Sequence, residues 1–346
     1  MKALLLSKYS KLELVDLPAP EPAKDEIVVR VAACGICGSD VHGFDGSSGR
    51  RIPPLVMGHE AAGIVASVGQ GVSQFKEGDR VTFDSTIYCG QCGYCRVGEV
   101  NLCDRREVLG VSCGDYRRAG AFAEFVSLPA RIAYHLPENL SFPEAALLEA
   151  VSVALHAVSL VPIKSGSSAL VIGAGTIGSL VQQALKVAGC ARVLVADVDA
   201  NRLALSKTLG ASSVLVAGPD LMDDVLRDTE GIGVDVAVEA VGNTPAVHSA
   251  INAVRKGGHV VLVGNISPEV SIPLQKVVSR QLTLHGSCAS AGEYPRAIEL
   301  LSSGQIQVKP LISAIAPLAE GPQWFDRLHG REPGLLKVVL EPGARS

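Results

Sequence analysis

Residues 168–178, with the sequence SALVIGAGTIG, decide the fold of the second half of the chain. An apolar run leads directly into a glycine turn, and apolar residues then recur at helical spacing over 177–188. A GxGxxG pattern between a strand and an amphipathic helix is the context in which such a turn binds the pyrophosphate of a dinucleotide at the helix N-terminus. The motif therefore predicts cofactor contacts from Gly173, Gly175, Thr176, Ile177 and Gly178.

The next apolar run, 193–197, ends in an acidic residue, Asp197, which lies 19 residues beyond Gly178. A carboxylate at the end of the second strand hydrogen-bonds the adenosine ribose of NAD, whereas a solvated aspartate after an ordinary glycine turn is the alternative interpretation. Buried strands are predicted at 168–172, 193–197, 234–239, 259–263 and 282–286, with helical segments between them. This alternation predicts a doubly wound parallel sheet and an α/β fold class.

Residues 1 to about 150 have a different pattern, with frequent glycine turns and short β-type runs such as 27–31 and 62–68. Short strands with regular turn signals predict a barrel-like β domain. The full length of 346 residues is long for one domain and fits two.

The charge balance excludes several classes of partner. The chain has 31 basic and 35 acidic residues, for a net charge of −4, so no basic field is available for nucleic acid or an anionic membrane. No run reaches about 18 consecutive apolar residues, and the start lacks the pattern of a signal peptide. We therefore expect a cytoplasmic protein whose nine cysteines stay reduced and whose clustered cysteines bind metal.

Four cysteines form one such cluster with the spacing C-x2-C-x2-C-x7-C, at Cys89, Cys92, Cys95 and Cys103. Two-residue spacers let neighbouring thiolates converge on one tetrahedral ion, and four thiolates leave no open position. The pattern therefore predicts a closed structural zinc site. Disulfides and an iron–sulfur cluster are the alternatives.

Three separated segments carry further candidate ligands: 34–42 (CGICGSDVH), 58–60 (GHE) and 147–156 (LLEAVSVALH). Each is weak by itself, because a lone histidine is usually structural and the CxxC at 34–37 is also compatible with a redox pair. The order of the three segments, ahead of the nucleotide turn, is what favours a second metal site.

Taken in this order, the segments resemble the zinc-containing medium-chain alcohol dehydrogenases. The polyol branch, with sorbitol, xylitol and galactitol-phosphate dehydrogenases, is the most similar, and threonine dehydrogenase is nearby. The stretches GHEAAG at 58–63, GDRV at 78–81 and GAFAEF at 120–125 carry the resemblance, which covers essentially the whole length. It implies a GroES-like β-barrel catalytic domain with the zinc sites over 1–150, a Rossmann NAD-binding domain over 151–288, and a return to the first domain over 289–346.

The resemblance also implies roles for individual residues. Cys37, His59 and Glu60 would hold a catalytic zinc, with Glu149 as fourth ligand or as holder of the metal water and Cys34 as a bystander. Ser39 would start a proton relay that ends at His42, a residue type suited to passing a proton to solvent. On the cofactor side, Arg202 would lie on the adenine edge, and Val263 would also contact the cofactor. The implied assembly is a homo-oligomer, a tetramer or a dimer.

These expectations amount to two zinc ions per chain, NAD, and reversible hydride transfer from a secondary alcohol of a polyol or sugar-like substrate. Two departures weaken sorbitol itself as the substrate: Ala150 replaces the usual proline, and 286–292 lacks the Arg-Tyr pair of sorbitol dehydrogenases. Phosphorylated or acidic substrates are a second possibility, for which Arg50, Arg51, Arg117 and Arg118 are candidate ligands, and threonine is a third. A non-catalytic zinc module or a zinc-free reductase or lens protein would leave the nucleotide turn or the intact metal motifs unexplained.

Overall fold

The computed structural model describes residues 1–343, which divide into two compact units. Unit 1 comprises Met1–Glu149, Tyr294–Ser303 and the described residues from Val308 onward, and unit 2 comprises Ala150–Glu293 and Gly304–Gln307. The functional domain boundaries at 150 and 288 stay a prediction. The short segment 304–307 belongs to unit 2 because the Gln183 side chain donates to the Gln307 carbonyl (3.0 Å) and accepts from its N–H (2.8 Å).

The strands, numbered along the chain, are β1 Lys2–Lys8, β2 Lys11–Asp16, β3 Glu26–Gly35, β4 Leu55–Val56, β5 Glu60–Val68, β6 Arg80–Phe83, β7 Thr86–Ile87, β8 Glu107–Val108, β9 Val111–Ser112, β10 Arg117–Arg118, β11 Phe125–Pro129, β12 Ala133–His135, β13 Ser168–Ile172, β14 Arg192–Asp197, β15 Ser213–Val216, β16 Val234–Glu239, β17 Val254–Leu262, β18 Thr283–Gly286, β19 Ile312–Pro317 and β20 Lys337–Glu341. The helices are α1 Gly38–Phe44, α2 Gly93–Arg96, α3 Phe142–Ala146, α4 Leu148–Ser159, α5 Thr176–Val187, α6 Ala200–Thr208, α7 Leu221–Asp228, α8 Thr244–Ala253, α9 Leu274–Ser279, α10 Tyr294–Ser302 and α11 Gly321–His329.

Unit 1 is built on a seven-stranded sheet in the order β12-β6-β5-β3-β20-β19, with β11 also paired to β3. Its pairs are antiparallel except β19 with β20. Strand β3 is almost fully buried because β5, β11 and β20 pair with it. This placement matters for function, since the chain segment that leaves β3 enters the candidate metal site.

Unit 2 is a six-stranded parallel sheet in the order β15-β14-β13-β16-β17-β18. The strand order reverses between β13 and β16, and dinucleotides bind outside the carboxyl ends of strands at such a switch point. Strand β13 is buried on both faces, as expected for the centre of a parallel sheet. The predicted doubly wound sheet is confirmed; β17 begins earlier than expected, because it follows α8 without a loop.

Within residues 1–343, no helix combines the length and the apolar character needed to cross a bilayer.

Candidate active site and nucleotide site

The lobe that carries the four cysteines brings their sulfur atoms together. The four Sγ atoms lie within 4.8 Å of one another, with 3.4 Å between Cys92 and Cys95 and 4.0 Å between Cys89 and Cys95. All nine cysteines are free thiols. Four sulfurs bound to one zinc at 2.3 Å would lie about 3.8 Å apart, so the spacing fits a tetrahedral zinc site, whereas a disulfide needs about 2.05 Å.

Backbone N–H groups already stabilise negative charge in this lobe. The N–H of Cys92 donates to Cys89 Sγ (3.4 Å), and the N–H of Cys89 donates to Cys103 Sγ (3.2 Å). The N–H groups of Gln91 and Cys92 lower the pKa of Cys89 to about 6, while burial and the neighbouring sulfurs raise the pKa of Cys95 to about 12. The four thiols cannot all ionise side by side without a cation, so the donor set suits a bound metal.

The second cluster is assembled by the pairing of β3 with β5. Gly35 at the end of β3 pairs with Glu60 at the start of β5, so Cys37 and His59 lie just beyond the same edge. One ligand atom each from Cys37, His59 and Glu60 lie within 4.8 Å of one another. One sulfur, one imidazole nitrogen and one carboxylate oxygen fit zinc and leave a fourth position open.

Asp40 is a residue of this site whose role the sequence analysis missed. Its carboxylate is fully buried, accepts the N–H of Cys37 (3.2 Å), and lies 3.3 Å from Nδ1 of His59 and 3.3 Å from Nη2 of Arg51. Burial alone would raise the pKa of Asp40, but His59 and Arg51 outweigh burial and lower it to about 2.

The position of this carboxylate, in ion-pair contact with Nδ1, favours one orientation of the His59 ring. With Nδ1 directed at Asp40, the other nitrogen, Nε2, is the one left for a metal, which is the usual carboxylate–histidine arrangement behind a zinc ligand. Burial opposes the charged imidazole, but Asp40 and the sulfur of Cys37 hold the pKa of His59 well above its usual value. The sequence did offer one signal for this role of Asp40, since Asp40 lies in α1 three residues after the candidate ligand Cys37.

A buried lysine from the end of the chain, Lys337, also belongs to the site. Its Nζ lies 2.9 and 2.7 Å from the two oxygens of Glu60 and donates to the carbonyl of Ile36 (3.0 Å). Glu60 is confined on its other side, because a Cβ at Gly35 would collide with Oε2 of Glu60. A carboxylate has lone pairs for both the lysine and a metal. No sequence signal marked Lys337, because it is 277 residues from Glu60.

Glu149, at the start of α4, lies near the three-ligand cluster but is not one of its three ligand atoms. Burial raises the pKa of Glu149 to about 7; His59 counteracts this, and Glu60 and Asp84 add to it. Its electrostatic neighbours therefore include two of the candidate ligands. The choice between direct ligation and holding the metal water stays a prediction.

The relay residues lie on α1. Ser39 is exposed; its Oγ accepts from Nη2 of Arg51 (3.1 Å) and lies 3.5 Å from Nε2 of His59. His42 is half-buried, and within residues 1–343 no hydrogen bond joins its ring to Ser39. The structure thus places Ser39 beside the ligand histidine, while the outer step through His42 stays a prediction.

The four arginines proposed for an anionic substrate have different surroundings. Arg51 is buried against Asp40 and Ser39, and Arg118 pairs with Glu26 (3.0 Å). Arg50 and Arg117 are exposed. Arg51 is therefore shielded from solvent, and Arg118 is half-buried and paired with Glu26, so both are less available to an anionic substrate than Arg50 and Arg117.

The glycine turn after β13 has the shape that the motif predicts. Gly173 has a φ of +97°, a Cβ at Gly178 would collide with the Gly173 carbonyl, and Gly175 has open space where a Cβ would stand. Gly175 is also the N-cap of α5, so the N–H groups of Thr176 and Ile177 begin the helix there. Open backbone at a helix N-terminus, in the first turn of a parallel sheet, suits a pyrophosphate.

Asp197 ends β14 beside this turn and is buried. Its Oδ2 accepts the N–H of Ala174 (2.6 Å), and its Oδ1 accepts the N–H of Asp199 (2.9 Å). Arg202 in α6 lies 3.9 Å from Asp199, and Val263 follows β17 and donates its N–H to the Glu239 carbonyl (2.9 Å). The carboxylate of Asp197 is therefore held in place and keeps lone pairs for further donors. The contacts of these residues with a cofactor stay predictions.

Comparison with known proteins decides the family. The alcohol dehydrogenase GroES-like domain matches residues 23–138, and the zinc-binding dehydrogenase domain matches residues 176–303. Sorbitol dehydrogenase of Bacillus subtilis (strain 168) is 33% identical over 347 residues, which cover 99% of this chain and 97% of that protein. The chain belongs to the zinc-dependent medium-chain alcohol dehydrogenase family.

Solved structures of this dehydrogenase family agree with the fold. An NADP-bound protein of Sinorhizobium meliloti 1021, described as a zinc-binding dehydrogenase, is 32% identical, with a TM-score of 0.89 and 99% of each chain covered. Galactitol-1-phosphate dehydrogenase of Escherichia coli is 27% identical, with a TM-score of 0.90 and coverage of 99% of this chain and 100% of that one. The expected family, the GroES-like domain and the Rossmann sheet are thereby confirmed, as is a zinc- and NAD(P)-dependent enzyme class.

Proposed function

We propose that this medium-chain dehydrogenase interconverts a secondary alcohol of a polyol or sugar-like substrate and the corresponding ketone, with NAD as hydride acceptor. One observation carries the proposal. A single chain holds an open three-ligand cluster, a closed four-thiol lobe and a nucleotide turn followed by Asp197. The similarity to sorbitol dehydrogenase supports the polyol class.

The chain's own residues divide the chemical work. Cys37, His59 and Glu60 would hold the catalytic zinc, and Cys89, Cys92, Cys95 and Cys103 the structural one. When bound, zinc supplies a Lewis acid for the substrate hydroxyl and the nicotinamide supplies the hydride acceptor. The carbon-bound hydrogen leaves with its electron pair, the hydroxyl proton leaves separately, and a ketone remains.

The proton needs an acceptor within the chain. Ser39 Oγ lies beside His59 and is exposed, so it can take the hydroxyl proton and pass one to solvent or towards His42. Arg51 donates to Ser39 Oγ, which leaves the hydroxyl hydrogen of Ser39 free to move outward. Glu149 would orient a water at the open ligand position.

The substrate is tested by a screen across free polyols, phosphorylated polyols and threonine at saturating NAD, and across ketoses at saturating NADH. We expect the highest kcat/KM with a free polyol. A preference for phosphorylated polyols would favour the second candidate, which rests on the exposed Arg50 and Arg117 and on the similarity to galactitol-1-phosphate dehydrogenase. Absence of any secondary-alcohol oxidation across the panel would contradict the proposal.

Cofactor choice follows from Asp197. Both ribose hydroxyls of NAD can donate to its carboxylate, whereas the 2′-phosphate of NADP would meet a like charge. At 4 Å and an effective dielectric near 20, each unit of repulsion is about 4 kcal/mol before relaxation. Arg202 is occupied in part by Asp199 and cannot cancel this fully.

We therefore expect NAD to be preferred by about 100-fold or more in kcat/KM, since about 1.4 kcal/mol is tenfold. Asp197→Ala should shrink that preference, mostly by weakening NAD and admitting NADP. Catalytic efficiency with both cofactors, in wild type and variant, checks this. Equal or better use of NADP by the wild type would show that Asp197 does not face the ribose.

We further propose a cytoplasmic homo-oligomer, a dimer or a tetramer. Within residues 1–343, strand β18 is an edge of the parallel sheet and pairs only with β17. The segment just before it exposes large apolar side chains, namely Ile266, Val270, Ile272, Leu274 and Val278. Open edges and apolar patches of this kind are normally covered by another chain. Light scattering coupled to size-exclusion chromatography measures the mass, and a monomer at micromolar concentration would contradict this.

A further inference from the structure

A buried carboxyl group that neither the metal sites nor the known motif uses lies at the end of β16. Glu239 is fully buried, and its Oε1 accepts two backbone N–H groups, those of Val241 (2.7 Å) and Gly242 (2.7 Å). Its Oε2 is buried and has no hydrogen-bond partner within residues 1–343. Burial raises the pKa of this carboxyl. A buried carboxyl oxygen without a hydrogen bond lowers the stability of the folded protein. Unfavourable arrangements of this kind cluster at functional sites, where the geometry is needed.

The geometry that Glu239 holds is that of the turn 240–242. Cγ2 of Val241 in this turn lies against Gly173, where a Cβ would approach it to 2.7 Å. Gly242 has a φ of +88°, and its backbone is so close to Gly264 that a Cβ there would collide with the Gly242 nitrogen. The turn therefore touches both the first glycine of the nucleotide motif and the residue that follows Val263.

The backbone of Glu239 ties the same elements together. Its carbonyl accepts the N–H groups of Val263 (2.9 Å) and Gly264 (3.0 Å), while the N–H of Ala240 donates to the carbonyl of Ile172 (2.9 Å). The peptide unit between Glu239 and Ala240 thus links the carboxyl ends of β13, β16 and β17. Of these, the ends of β16 and β17 lie on the far side of the switch point from Asp197, which ends β14, whereas β13 lies on the same side as β14.

A doubly wound sheet binds the two halves of a dinucleotide on its two halves. If the half with β14 and Asp197 faces the adenosine, as proposed above, the half that begins with β16 would face the nicotinamide. We propose that Glu239 is a positioning residue for the nicotinamide half of the cofactor and acts through the turn 240–242. The inference rests on the proposed dinucleotide-dependent function, which it deepens by separating the parts of the chain that bind each half of the cofactor.

The test compares ligands that differ only by the nicotinamide. NADH and ADP-ribose share the adenosine and both phosphates, so binding of each, measured by calorimetry or NADH fluorescence on the purified holoenzyme, separates the two halves. Glu239→Leu removes the acceptor of both N–H groups, and Glu239→Asp shortens its reach by one methylene. Glu239→Gln keeps an acceptor oxygen of the same reach.

We expect Glu239→Leu to weaken NADH binding roughly 10- to 100-fold, the usual scale for leaving buried donors unpaired, with ADP-ribose affected much less. Glu239→Asp should also weaken NADH binding more than ADP-ribose binding, but by a smaller factor than Glu239→Leu. Glu239→Gln should bind NADH within about threefold of wild type. Should Glu239→Leu fail to fold, the contrast between Glu239→Asp and Glu239→Gln decides.

A matched control lies at the opposite end of the same strand. Thr229 is buried, and its hydroxyl accepts the N–H of Gly233 (3.0 Å) and donates to the carbonyl of Val225 (2.7 Å) just before β16. Thr229→Val should lower the melting temperature while leaving the NADH to ADP-ribose affinity ratio unchanged.

Three outcomes would overturn the inference. They are NADH binding within twofold of wild type in both Glu239→Leu and Glu239→Asp, equal loss of NADH and ADP-ribose in those variants, and the same selective loss in Thr229→Val. If the wild-type protein binds neither NADH nor ADP-ribose, the result would instead contradict the proposed dinucleotide-dependent function. A wild type that binds both while the variants show no selective loss would overturn only the role of Glu239.

Discussion

The two metal-binding regions are built in opposite ways. The lobe 89–103 takes all four sulfurs from one continuous segment, and its charge is stabilised by backbone N–H groups of the same segment. The cluster of Cys37, His59 and Glu60 joins two segments, and its charges are balanced by Arg51 and by Lys337 from the end of the chain. The first site is local and closed, while the second is non-local, open and dependent on the pairing of β3 with β5 and β20.

This contrast leads to the largest expected effect, the unequal loss of two zinc ions. Mild chelation should remove the ion at the open site first and abolish activity while the fold persists, because four thiolates hold the other ion with no labile position. Metal content per chain, activity and circular dichroism, followed together, check this. A fully active chain with one ion or fewer would contradict the two-site interpretation.

The next largest effect concerns Lys337. Lys337→Met leaves the buried carboxylate of Glu60 without its cation, which should lower the free energy of unfolding of the zinc-free protein by about 3–5 kcal/mol. Zinc at Glu60 would replace the missing charge, so the loss should be smaller in the zinc-loaded protein. Urea unfolding of both forms measures the two values.

The control for this variant is a solvent-exposed ion pair. Arg327 pairs with Glu332 (2.6 Å) on the surface, so Arg327→Met should change stability far less than Lys337→Met. An equal loss in zinc-free and zinc-loaded Lys337→Met would argue that Glu60 does not bind the metal.

The carboxylate of Asp40 supports His59 and does not bind the metal itself, so its loss should lower zinc affinity measurably but less than the loss of a ligand. Asp40→Asn keeps the shape and removes the charge behind His59, so zinc affinity at the open site should fall about 10- to 100-fold. Asp45→Asn, at the other end of α1 and paired with His329, is the matched control and should leave the affinity unchanged. Competition with a metallochromic chelator gives both values, and retention of zinc by Asp40→Asn would show that the charge is not needed.

The effect of Glu149 should be no larger than that of Asp40. Glu149→Ala should cost activity or zinc affinity about 10- to 100-fold, towards the lower end if the residue only holds a water. Glu144→Ala, in the exposed capping interaction of α3, should leave both unchanged. Full activity and zinc content in Glu149→Ala would show that Glu149 is a buried acid with no role at the metal site.

Much of this protein could be predicted because its signals are local. The GxGxxG turn sits between β13 and α5, and the spacing of the four cysteines determines a tetrahedral set within a few turns of chain. Such patterns depend on backbone geometry over short distances, which sequence spacing encodes directly. The order of motifs along the chain then indicated the family, which comparison confirmed.

The remaining features depend on contacts between distant residues, and only the tertiary structure decided them. Lys337 reaches Glu60 because β20 pairs with β3, and Arg51 faces inward to Asp40 although Arg50 beside it faces solvent. The bare oxygen of Glu239 and the distinct surroundings of the four arginines likewise follow from packing. The sequence alone determined which chemical groups the chain contains and their local order. Burial and strand pairing determined which charged groups lie in contact, because Coulomb interactions depend on distance in space and on the exclusion of water.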